Sequence, residues 1–159
     1  MNILILCTGN SARSILGEAL FTARSGGAVT AFSAGSKPKG EPHPGAIAVL
    51  QRHGLSIDGL RSKSWDEFEA PGAPVMDAVI TVCDSAAAEP CPVWPGAPAR
   101  AHWGLPDPAD AEGEDAIRAA FDATFQALDM RIRAALDAGL VAASPAKRSA
   151  ILQHVHDEA

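Results

Sequence analysis

Cys7 and Arg13 close the segment Cys7-Thr8-Gly9-Asn10-Ser11-Ala12-Arg13 at its two ends, a thiol and a guanidinium separated by five small or polar residues. A cysteine attacks as a thiolate, and both a helix N-terminus and a neighbouring cation favour that form. Successive backbone N–H groups in a strand-to-helix turn can curl around a tetrahedral oxyanion, which an arginine grips through two oxygens at once. The spacing therefore predicts an oxyanion-binding loop made of Thr8, Gly9, Asn10, Ser11, Ala12, Arg13 and Ser14. Gly9 eases the curl, Cys7 stands ready as an ionised nucleophile, and Ser14 is placed to donate a hydrogen bond to its sulfur.

Attack on such an anion expels an oxygen, which leaves more readily when protonated. Asp107, in the proline-flanked stretch His102-Trp103-Gly104-Leu105-Pro106-Asp107-Pro108, is the candidate general acid. The same residue is also placed to cap a helix beginning near Ala109. Two further cysteines, Cys83 and Cys91, bring the total to three. An odd number without a secretory leader argues against a static disulfide framework and leaves reactive or plainly buried thiols.

These residues need elements to hold them. Asn2 to Leu6 is a short apolar run ending in a glycine turn, the pattern of a buried strand that delivers Cys7 at its carboxyl end. A helix is expected over 13–23, a second strand over 29–33, a second helix over 46–53 with His43 near its start, and a capping box from Ser64 to Glu67. The β-branched run in 77–82 predicts a central strand, with Cys83 at its end as Cys7 is at the end of the first. After the Ala- and Pro-rich stretch 84–98 comes a brief strand over 100–103. A long helix follows, its stripe formed by Ile117, Phe121, Phe125, Leu128, Ile132 and Leu136. Strands alternating with helices imply an α/β fold, and ligands in such folds bind beyond the carboxyl ends of the strands.

The 159 residues, 47% hydrophobic and 20% charged, fit one domain over 1–140 with a tail over 141–159 in which 149–156 has helical character. A net charge of −6 gives no broad basic surface, and Lys37-Pro38-Lys39 is too short a patch for nucleic acid or anionic lipid. The first apolar run is too short for a bilayer and lacks a signal-type flank, so a cytoplasmic protein is expected. His154 and His156 fall on different faces of a helix, and no metal site is read from the histidines or cysteines. Trp65, Trp94 and Trp103 read as packing residues.

Together the motifs resemble the low-molecular-weight protein tyrosine phosphatase fold family, and more closely its arsenate reductase branch. The likeness runs from Met1 to about Leu136. It is carried by Cys7 to Ser14, Ser33-Ala34-Gly35, Arg61-Ser62-Lys63-Ser64, Ile80 to Asp84 leading to Cys91-Pro92, and His102 to Pro108. It implies a four-stranded parallel sheet with helices on both faces, Cys7 as nucleophile, Arg13 as anion holder and Asp107 as acid. Phosphatases of the family usually carry a second cysteine just before the arginine and paired tyrosines after the acid. Here Ala12 stands in the first place, and the chain has no tyrosine.

In the reductases that the sequence looks like, the equivalent of Cys7 forms an arsenic adduct, that of Cys83 attacks Cys7 to release arsenite, and that of Cys91 resolves the disulfide. The resemblance thus implies arsenate as substrate, no bound cofactor, and an external reductant, either thioredoxin or a low-molecular-weight thiol system. Such a relay needs Cys83 to come within disulfide distance first of Cys7 and then of Cys91, with 84–90 as the link. Some of these reductases hold potassium through residues corresponding to Asn10, Glu18 and Ser33. Lys63 takes the position of a carboxylate ligand, so an ammonium is expected in place of the ion. A phosphatase acting through a Cys7 phosphoenzyme and a non-catalytic oxyanion or redox sensor are the alternatives.

Overall fold

Side chains on a strand alternate between faces, so a strand with Ile3, Leu4, Ile5 and Leu6 all buried must have cover on both sides and neighbours on both edges. The computed structural model, which describes residues 1–84 and 98–159, places that strand, β1 (Asn2–Leu6), inside a four-stranded sheet. The others are β2 (Thr30–Ala34), β3 (Ala78–Thr81) and β4 (Ala99–His102), in the order β2-β1-β3-β4. Every pair is parallel, with Leu6 opposite Ala34 on one side and Thr81 on the other. The chain leaves β1 for one edge and returns to the other, so the carboxyl ends of β1 and β3 flank the point where the strand order reverses. Cys7 and Cys83 lie just beyond those two ends.

Among the described residues the α-helices are α1 (Arg13–Arg24), α2 (Pro44–Arg52), α3 (Glu114–Asp137) and α4 (Pro145–Asp157). Ile3, Ile5, Ala78 and Ile80 share one core with Leu16 and Leu20 of α1, Leu50 of α2, and Phe121, Phe125, Leu128 and Ile132 of α3. Each such side chain contributes about 1.5–3 kcal/mol by leaving water. On the opposite face Leu4, Leu6 and Val79 meet Phe68 and Met76, brought there by a short 3-10 helix, Trp65–Phe68, and the segment after it.

Several boundaries move for local reasons. α2 begins two residues earlier than its apolar pattern, because Pro44 fits the first turn and His43 Nδ1 accepts the Gly45 N–H at 2.9 Å. Ser64 does cap, accepting from Asp66 N. The expected reciprocal arm is absent because Glu67 turns to Arg61, 2.6 Å away. The tail forms the full helix α4, which lies against β4. Trp103 Nε1 donates to Leu152 O at 2.7 Å, and Leu152 is fully buried. Among the described residues no helix is long and apolar enough to cross a membrane.

Candidate active site

The loop over residues 7–13 joins β1 to α1, and its carbonyls are held from outside. Lys37 N–H donates to Thr8 O, Lys39 N–H to Gly9 O and His43 N–H to Ser11 O, at 3.0, 3.0 and 2.8 Å. Carbonyls turned outward leave the intervening N–H groups to the concave side, where they form an anion nest. Asn10 takes the left-handed conformation at φ 43 and is fully buried. Its side chain repays the strain by donating to Ser14 Oγ at 2.8 Å and accepting Lys63 N–H at 2.9 Å. Ala12, at the N-cap of α1, supplies no side-chain acceptor, so the first N–H groups of the helix stay open to a ligand.

The nest opens into a cavity of about 390 Å³ lined by residues 7–13 with Lys37, Lys39, Cys83 and Asp107. Arg13 Nη1 donates to Leu105 O at 2.8 Å, and Nη2 lies 3.6 Å from Asp107 Oδ2. Its Nε is buried with no partner among the described residues, a donor held ready for an anion. Asp107 caps and also lines the cavity: Oδ1 accepts Ala109 N–H at the start of a 3-10 turn, Pro108–Asp110, while Oδ2 faces the arginine. Sequence spacing had set these as rival readings, but a carboxylate has two oxygens.

One expectation for the nucleophile is corrected: Ser14 Oγ accepts from Asn10 Nδ2 and does not hydrogen-bond the sulfur. Forces on the Cys7 proton oppose each other: the neighbouring Cys83 side chain, with burial second, pushes the thiol up from its ordinary range, while Arg13 and the Gly9 backbone pull the other way. Both thiols are buried, and Cys83 Sγ lies 3.7 Å from Thr8 Oγ1.

Beneath the loop, Lys63 Nζ lies 3.5 Å from Glu18 Oε1 and donates to Arg61 O at 3.0 Å. Ser33 Oγ donates to the same Glu18 oxygen at 2.7 Å. Burial lowers the lysine's proton affinity while Glu18 restores part of it. An ammonium in this position repels a monovalent cation, so these residues do not fit a bound potassium ion. Among the described residues no group of three or more His, Cys, Asp or Glu side chains is arranged to hold a metal. The structure thus brings Cys7, residues 8–13, Cys83 and Asp107 to one cavity, while Ser14, fully buried behind the loop, does not line it. Cys91, Trp94 and residues 85–90 of the 84–90 link lie outside the described residues. Spacing missed Lys37 and Lys39; their alternation around Pro38, a few residues beyond a strand end, was the available signal.

The fold and this loop define a class. A family model for low molecular weight phosphotyrosine protein phosphatase matches residues 2–144, and the chain belongs to that family. Within it, the chain is similar to proteins named arsenate reductase. It is 37% identical to that of Halalkalibacterium halodurans over 113 residues, 71% of this chain and 78% of the relative. It is also 37% identical to that of Bacillus licheniformis over 119 residues, 75% and 82% of the two chains. A thioredoxin-dependent arsenate reductase from Corynebacterium glutamicum superposes with a TM-score of 0.65 at 29% identity, over 86% of this chain and 60% of that one. The present chain therefore spans about three fifths of that longer protein.

Proposed function

We propose that the chain reduces arsenate to arsenite in the cytoplasm, with Cys7 as nucleophile, Arg13 as anion holder, Asp107 as general acid, and Cys83 and Cys91 as the thiols that carry the electrons away. The observation that carries this reading is that Cys7 and Cys83 line the same cavity at the oxyanion nest. A phosphatase needs one thiol there, and a two-electron reduction needs two. The curated relatives' names favour the same reaction.

In this reading arsenate enters the nest, its oxygens taken by loop N–H groups and the Arg13 fork. Cys7 attacks arsenic, an S–As bond forms, and one oxygen leaves as water with a proton from Asp107. Cys83 then attacks the Cys7 sulfur. A Cys7–Cys83 disulfide forms, the S–As bond breaks, and its electron pair stays on arsenic, which departs as arsenite. Cys91 attacks Cys83 in turn, giving Cys83–Cys91 and returning Cys7 as a thiolate. A dithiol reductant of the thioredoxin kind, or a low-molecular-weight thiol, restores the last pair. The thioredoxin-dependent neighbour supports the first of these.

The test mixes the reduced protein with thioredoxin, thioredoxin reductase and NADPH and follows NADPH absorbance. Arsenate-dependent loss is expected, and Cys83→Ser abolishes it while sparing any slow aryl phosphate hydrolysis through Cys7. No loss with thioredoxin, glutathione or mycothiol systems overturns the reading.

A further inference from the structure

Two ammonium groups at the mouth of the cavity are unused by the chemistry above. The N–H groups of Lys37 and Lys39 both bond to loop carbonyls, so this segment is stitched to the nest at alternate residues with Pro38 between. Residues two apart on an extended segment project to the same side, and both lysines line the cavity above Cys7. The far end of the segment is tied as well: Gly40 N–H donates to Ser62 Oγ, which donates to Gly9 O, both at 3.2 Å. The Lys39 stem runs along Gly9, where an added Cβ would come within 3.1 Å of Lys39 Cε. Both side chains are exposed, and neither has a carboxylate ion-pair partner among the described residues.

The chain as a whole carries −6 and repels a dianion from a distance. Around the mouth the balance reverses, with Arg13, Lys37 and Lys39 set against Asp107 alone. We propose that Lys37 and Lys39 are substrate-binding residues, a cationic rim that draws small inorganic dianions into the nest. The proposal rests on reading residues 7–13 as an oxyanion site, and it names the substrate class of that site.

The experiment titrates the reduced protein with inorganic phosphate in a calorimeter, comparing wild type, Lys37→Gln/Lys39→Gln, Lys37→Arg/Lys39→Arg, and Lys147→Gln on α4 as removal of a single positive charge away from the cavity. The double glutamine variant is expected to bind phosphate about tenfold more weakly, with a flatter salt dependence, while the arginine pair stays within about twofold of wild type. In arsenate turnover the glutamine pair raises KM and leaves kcat unchanged. Wild-type phosphate affinity in the glutamine pair, or an equal loss in Lys147→Gln, overturns the rim. Phosphate binding requires no electron transfer. A wild-type protein that binds phosphate through the rim yet reduces no arsenate therefore overturns the reductase reading and leaves the rim standing.

Discussion

At Cys7 the forces on one proton oppose each other. Cys83 and burial hold it on the sulfur, while Arg13 and the Gly9 N–H favour its loss. Removing the Cys83 thiol lowers the pH at which the thiolate forms, so Cys83→Ala is expected to shift the pH profile of Cys7 alkylation by iodoacetamide downward, read by mass spectrometry of the Cys7 peptide. An unchanged profile would mean that burial alone retains the proton. Lys63 is the other residue whose charge matters beneath the loop. Its pair with Glu18 is nearly buried on both sides, at 7% and 13% side-chain exposure, so Lys63→Met leaves a carboxylate uncompensated. A loss of about 3 kcal/mol in urea unfolding is expected. Wild-type activity should be the same in sodium and potassium buffers. At this scale the loop from Cys7 to Arg13 was legible because spacing within one short segment is a local property, and Asp107 stood out only through its own proline-flanked stretch. Lys37 and Lys39 were not, since their place at the mouth depends on how the β2–α2 connection is laid across the loop.

Elements meet most tightly where β2 ends. Gly35 follows Ala34, and a Cβ there would lie 2.4 Å from Thr8 O and 2.6 Å from Cys7 O. Both are backbone atoms of the oxyanion loop and cannot swing aside as a flexible side chain would. Gly35→Ala is therefore expected to cost about 1–3 kcal/mol of stability and to weaken phosphate binding, since the loop must shift to admit the methyl group. Denaturant melts and phosphate calorimetry on the same variant check both effects, and an unaltered melting curve would show that the connection yields freely. The strands themselves could be read from apolar runs, and α3 from its stripe, because burial on one or both faces writes a period into the sequence. The demand for glycine at position 35 could not, because it arises from two segments far apart in the chain coming within contact distance. The half-formed capping box at Ser64 has a similar origin: Glu67 had a choice between a backbone N–H and Arg61, and local pattern does not decide between them.

Across the whole molecule, the parallel order β2-β1-β3-β4 is what brings residue 7 and residue 83 to one edge, so the dithiol is a product of topology rather than of proximity in sequence. The helices must hold that sheet from outside, and α4 does so with few contacts. Leu152 and Val155 are its only buried side chains, too thin a stripe for the tail to read as more than a helical stretch. A stronger tie lies between α1 and α3. Arg24 Nε donates to Asp129 Oδ1 at 2.8 Å, and Arg133 reaches both oxygens of the same carboxylate at 3.1 Å. Partial burial of Asp129 by itself raises its proton affinity, but the two guanidinium groups together outweigh that and hold it below the ordinary aspartate range. A carboxyl depressed in the folded state adds stability that is complete above its unfolded value, near about 3.9, and drains away as pH falls through the folded value. Asp129→Asn is accordingly expected to cost about 1 kcal/mol at neutral pH and progressively less as the solution is acidified below that range. Urea unfolding of wild type and variant in parallel, at pH 7 and at about pH 3, measures the difference. A gap that stays constant with pH would assign the tie between α1 and α3 to the shape of the side chain and not to its charge.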